Sequence, residues 1–100
     1  MIVDDERKAT AKAQTILGTL TPTTARTDEI SFALQYASRL AASAQGLSSD
    51  AALNNLRSEA VIALNTVAGS LDTRTLTQDM VDHAKRTIAS LLSGLETQRG

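Results

Sequence analysis

The chain has 100 residues, of which 42% are hydrophobic and 21% charged, and its formal net charge is −1. The length fits a single domain, and the normal apolar content argues against disorder. The sequence contains no cysteine, which excludes disulfides and thiolate metal sites. The net charge near zero argues against a surface adapted over its whole extent to nucleic acids or anionic membranes.

The residue types favour an all-α protein. Alanine (16) and leucine (13) dominate the apolar residues, whereas the chain has one phenylalanine, one tyrosine and no tryptophan. Alanine and leucine are strong helix formers, and the aromatic residues that favour strands are scarce. The first residues become charged at once, with no signal-peptide pattern behind them, so we expect a cytoplasmic protein.

Two helices are predicted in the first half of the chain. The first spans about residues 4–20, with Asp4 as its N-cap and Thr21-Pro22 beyond its end. The second spans about residues 27–45 and begins at Thr27. Gly46 is predicted to end it with a left-handed cap, and Leu47 to fold back on its last turn.

Two further helices are predicted in the second half. The third spans about residues 49–68, with a serine cap at its start and Gly69 as its stop. The fourth spans about residues 77–95 and begins at Thr77. Residues 96–100 are predicted to form a loose tail.

Four amphipathic helices with short connections predict an up-down-up-down bundle. Antiparallel neighbours follow because a short loop cannot carry the chain back along the helix it leaves. Apolar residues of the third helix also follow a nearly heptad spacing. An alternative architecture is therefore a pair of helical hairpins that complete a bundle as a homodimer.

His83 is the only histidine, in the run His83-Ala84-Lys85-Arg86-Thr87. A single histidine on a helix of a four-helix bundle of this length resembles the histidine phosphotransfer domains. In that family a lysine follows two or three residues after the histidine, as Lys85 does here, and then a glycine or other small residue, which has no counterpart here. The resemblance implies a phosphate relay through His83. The alternative interpretation, which we favour, is a solvated surface histidine.

The sequence offers little else for catalysis or for holding a cofactor. One histidine and no cysteine are too few for a catalytic triad or a zinc site, so we expect no metal, no cofactor and no enzymatic activity. No small-molecule substrate is inferred, and no segment is apolar for long enough to cross a membrane. The basic residues are scattered or lie beside acidic ones, so a small nucleic-acid-binding regulator is only the second alternative.

The residues that lie off the apolar face of their helices give the strongest indication of function. Phe32 and Tyr36 are neighbours at i and i+4 on the polar side of the second helix, and Ile62 lies opposite the apolar face of the third. Either these side chains are buried because the second helix packs against two neighbours, or they form a protein-binding surface with Arg39 at its rim. We predict a non-enzymatic protein–protein interaction protein, an adaptor, inhibitor or assembly subunit, whose partner is another protein or a second copy of itself.

Overall fold

A computed structural model describes residues 2–98, with the side chains of residues 4–97. These residues form four helices and no strand, and they confirm the all-α four-helix bundle. The helices are α1 (Ile2–Leu17), α2 (Asp28–Leu47), α3 (Ala51–Thr73) and α4 (Gln78–Gln98). The molecule measures 39 × 22 × 20 Å, which is the elongated shape expected for helices of 16 to 23 residues packed side by side.

Each helix packs against its neighbours in the chain, and α1 packs against α4. The bundle is thus closed within a single chain, and it needs no second chain to complete its core. None of the helices in the described part combines the length and the hydropathy of a membrane span.

Polar side chains set the beginnings of three helices. The hydroxyl of Thr27 accepts a hydrogen bond from the backbone N–H of Ile30 at 3.2 Å, and Thr77 does the same for Met80. For α3 we expected a serine cap, but the carboxylate of Asp50 accepts the bond from Leu53 N–H at 3.0 Å. Each cap satisfies a backbone donor that the first turn of a helix leaves without a partner.

The C-terminal ends of the helices differ most from their predicted positions where the prediction relied on a glycine. Gly46, Gly69 and Gly94 all lie inside helices, and no described glycine has a positive φ. The left-handed residue is instead Arg74 (φ 60°, ψ 37°), which follows α3 and donates its N–H to the carbonyl of Ser70. Residues 69–73, which were predicted to lie beyond the third helix, are therefore the last turn of α3.

The two ends of the chain also differ from the prediction. Helix α1 begins at Ile2, so Asp4 lies in its first turn instead of capping it, and it ends at Leu17. Leu20 follows the helix but remains buried in the core. Residues 96–98 continue α4 instead of forming a loose tail, and residues 99–100 lie outside the described part.

The core combines leucines with alanines, and Gly94 lets α3 and α4 approach closely. A Cβ atom at Gly94 would lie 3.0 Å from Cδ1 of Leu53. Fully buried core residues come from all four helices, for example Ala13, Leu34, Ala60 and Leu91. Both aromatic residues are outside this core.

One ion pair is buried within the core. Arg57 of α3 donates two hydrogen bonds, from Nε and one terminal nitrogen, to the two carboxylate oxygens of Glu6 of α1, each at 2.8 Å. Its other terminal nitrogen donates to Asn54 at 2.9 Å. Glu6 and Arg57 are 0% and 1% exposed, so they connect two helices that lie diagonally across the bundle, away from solvent. The basic residues were predicted only to be scattered or to lie beside acidic ones, and this pair was not predicted.

Candidate protein-binding site

The outer face of α2 carries a row of exposed side chains directly opposite the core. At 100° per residue, the row covers about 80° of the helix surface. All of its members are exposed, and we call the row the α2 outer face: Glu29, Phe32, Tyr36, Arg39, Ser43 and Leu47. A continuous stripe of this kind can contact a partner along the whole length of the helix.

The two aromatic side chains at the middle of this face form one flat unit. Phe32 is 66% exposed and Tyr36 is 43% exposed. Their ring centroids lie 6.0 Å apart, and the ring planes differ by 7°, so the rings are stacked one helical turn apart. The two rings are therefore not buried under a neighbouring helix of the same chain, which was the alternative.

Opposite charges flank the aromatic pair along the helix. Glu29 lies one turn before Phe32, and Arg39 one turn after Tyr36. Within the described chain, neither side chain forms an ion pair. Arg39 also borders a shallow groove between α2 and α3.

The charges just before α2 are, in contrast, already paired with each other. Arg26 forms ion pairs with Asp28, at 2.7 Å, and with Asp72. The hydrogen bond to Asp28, and then that to Asp72, raises the pKa of the Arg26 guanidinium above its usual range. Asp28 is thus engaged within the chain, whereas Glu29 and Arg39 are available to a partner.

Leu47 extends the exposed face, although it was not among the residues that we expected to bind. It is 73% exposed, because α2 continues through Gly46 and carries Leu47 outward instead of folding it back. The periodicity itself contains this information: Leu47 lies about 20° from Tyr36 around the helix when the helix is continued. Because the helix was predicted to end at Gly46, the exposed position of Leu47 was not predicted.

Ile62 does not lie with the residues of α2. It is 67% exposed, but it borders a small groove between α3 and α4, beside Met80 and His83. Phe32, Tyr36 and Arg39 therefore share one face, and Ile62 belongs to another.

His83 is exposed on the surface of α4. Its backbone carbonyl accepts a hydrogen bond from the Thr87 hydroxyl, at 2.9 Å, and the residue borders the same groove as Ile62. Among the described residues, no three histidine, aspartate or glutamate side chains are grouped in a way that would hold a metal ion. Comparison of the chain with models of protein families, with curated proteins and with solved structures gives no match in any of the three.

Proposed function

We propose that this protein is a non-enzymatic helical protein–protein interaction protein, and that the α2 outer face is its contact surface. The observation that carries the proposal is the exposed stack of Phe32 on Tyr36, which are the only two aromatic residues of the chain. Such a protein acts as an adaptor, as an inhibitor or as an assembly subunit of a larger complex.

The bundle itself gains little from these two aromatic side chains. Phenylalanine and tyrosine are weaker helix formers than alanine, glutamine or lysine, and neither ring belongs to the buried core. Aromatic and arginine side chains, on the other hand, dominate the energetics of protein interfaces, because they bury a large area with few rotatable bonds. The placement of Phe32, Tyr36 and Arg39 on one exposed face therefore supports a role in binding.

Photocrosslinking from two serines tests the proposal. Ser43 lies on the α2 outer face and Ser90 is exposed on α4, so each can be replaced with a photoreactive phenylalanine analogue. In cells of the source organism we expect one discrete crosslinked protein from position 43 and none from position 90. Mass spectrometry of the adduct identifies the partner.

The Phe32→Ala/Tyr36→Ala double variant supplies the second arm of this experiment. We expect it to lose the adduct at position 43 while its melting temperature stays close to that of the wild type, because both side chains are exposed. Ile62→Ala is the matched control, since it removes an equally exposed apolar side chain from another face and should leave the adduct unchanged. Equal crosslinking from positions 43 and 90, or an adduct that survives the double variant, would contradict the proposed function.

A further inference from the structure

We propose that the partner of the α2 outer face is a second copy of this chain, bound through an antiparallel contact of α2 with α2. This inference rests on the proposed function and adds the identity of the partner to it. It is carried by the order of the exposed residues along the helix.

Four residues of the α2 outer face are arranged symmetrically about the middle of the aromatic pair, whereas Ser43 and Leu47 lie beyond this symmetric segment. Phe32 and Tyr36 lie two residues on either side of position 34, and Glu29 and Arg39 lie five residues on either side. When two antiparallel helices are related by a two-fold axis at that position, each residue meets its counterpart across the centre. Phe32 then meets Tyr36 of the second copy, and Glu29 lies level with the second copy's Arg39.

The charges at these symmetric positions are opposite, so the surface is complementary to itself. Each charge lies about 7.5 Å along the axis from the centre, beyond the rings. Glu29 and Arg39 lie at opposite edges of the α2 outer face, about 80° apart around the helix, so the long arginine side chain extends across the interface to reach the acid of the second copy. The two-fold axis makes the ion pair twice. The surface carries one acid and one base, and the net charge of the whole chain is −1, so little repulsion opposes the approach of two copies.

A single pair of helix faces gives an interface of modest area, at the lower end of what specific complexes bury. We therefore expect a dimer that forms and dissociates with concentration. Ion pairs at its rim act chiefly on specificity, since they favour the antiparallel register and penalise others.

Charge reversal tests the pairing directly. Glu29→Arg gives each chain two positive side chains at the symmetric positions, and Arg39→Glu gives each two negative ones, so both homodimers contain like-charge contacts in place of ion pairs. By sedimentation from about 10 µM to about 1 mM, we expect each single variant to have a dissociation constant raised about tenfold. An equimolar mixture of the two should associate as a heterodimer, and the Glu29→Arg/Arg39→Glu double variant should dimerise like the wild type.

Glu59→Arg and Lys85→Glu are the matched controls, because they make the same charge changes at exposed positions on α3 and α4. They should dimerise like the wild type. The inference is overturned if the wild type stays monomeric throughout, if the controls weaken association as much as the test variants, or if the mixture does not associate. A monomeric wild type that still crosslinks another protein from position 43 removes the second copy as partner and leaves the proposed function standing.

Discussion

Glu6 and Arg57 are the two buried charged residues of the described chain, and loss of either partner would lower the free energy of unfolding strongly. Burying a carboxylate or a guanidinium alone carries a large desolvation penalty, which their paired hydrogen bonds offset. Because the two helices concerned lie on the diagonal of the bundle, the pair fixes how α1 and α3 are placed along and around their axes relative to each other.

Removing one partner of this pair should therefore destabilise the protein strongly. We expect Glu6→Gln or Arg57→Met to lower the free energy of unfolding by about 3–5 kcal/mol, since each leaves the other charge buried. The Glu6→Leu/Arg57→Met double variant should recover most of the loss, because no charge then remains. Urea unfolding at neutral pH measures these differences.

The exposed pair of Asp4 and Arg7, in the same helix as Glu6, provides the comparison. Asp4→Asn should cost about 0–1 kcal/mol, as surface ion pairs do. A Glu6→Gln variant no less stable than Asp4→Asn would mean that solvent reaches the Glu6 carboxylate.

The sequence contains one signal for this pair, which is the position of Arg57 within α3. Arg57 continues a regular spacing of alternately four and three residues that runs through the core of α3: Leu53, Arg57, Ala60, Leu64, Val67 and Leu71. A search for apolar residues takes the neighbouring Leu56 in place of Arg57. The partner of Arg57 is 51 residues away in the chain, and periodicity within one helix contains no information on such a contact.

At the scale of the helices, starts were easier to predict than ends. Thr27 and Thr77 cap helices as their sequence context indicates, because a cap depends on hydrogen bonds within a few residues. The ends depend on packing across the bundle. Gly69 lies within α3, where the buried side chains of Ser70 and Leu71 continue the contact surface beyond it. Glycine lowers helix propensity but does not end a helix that tertiary contacts hold.

Replacement of Gly69 distinguishes an interior residue from a helix stop. A Cβ atom there meets nothing within 4 Å, and the backbone is right-handed. We expect Gly69→Ala to raise the free energy of unfolding by about 0.5–1 kcal/mol, because alanine has less conformational freedom to lose. Chemical denaturation measures this change in the free energy of unfolding.

Gly94→Ala is the control for this change, since it makes the same substitution inside a helix but brings Cβ within 3.0 Å of the Leu53 side chain. Its gain in helix propensity should be offset by that contact, so it should stabilise less than Gly69→Ala. A destabilised Gly69→Ala variant would instead indicate a left-handed glycine and a helix that stops there.

At the scale of the whole molecule, the fold follows from two properties of the sequence. A 3.6-residue apolar period produces four amphipathic helices, and short connections make consecutive helices antiparallel. Which faces remain outside was harder to predict. Phe32 and Tyr36 lie off the apolar face of α2, but whether a neighbouring helix covers them depends on how the bundle closes. Contact of α1 with α4 closes it and leaves that face of α2 free.

The closed bundle also changes how the chain would form a dimer. The sequence left open a dimer in which two hairpins share one core. In the single-chain bundle, the core is already complete, so association of two copies involves the α2 outer face and leaves the core of each copy intact. Dissociation on dilution should therefore not be accompanied by unfolding.

The most direct test of the account is the quenching of Tyr36 fluorescence by acrylamide as a function of protein concentration. Tyr36 is the only tyrosine and the chain has no tryptophan, so the signal reports on this one side chain. We expect efficient quenching in dilute solution, where Tyr36 is exposed, and a fall in quenching as the concentration rises and a second copy covers it. The Glu29→Arg variant should need higher concentrations for the same fall. Weak quenching at every concentration would place Tyr36 inside the single chain, and equally strong quenching at every concentration would exclude its burial by a second copy; either result would contradict the account.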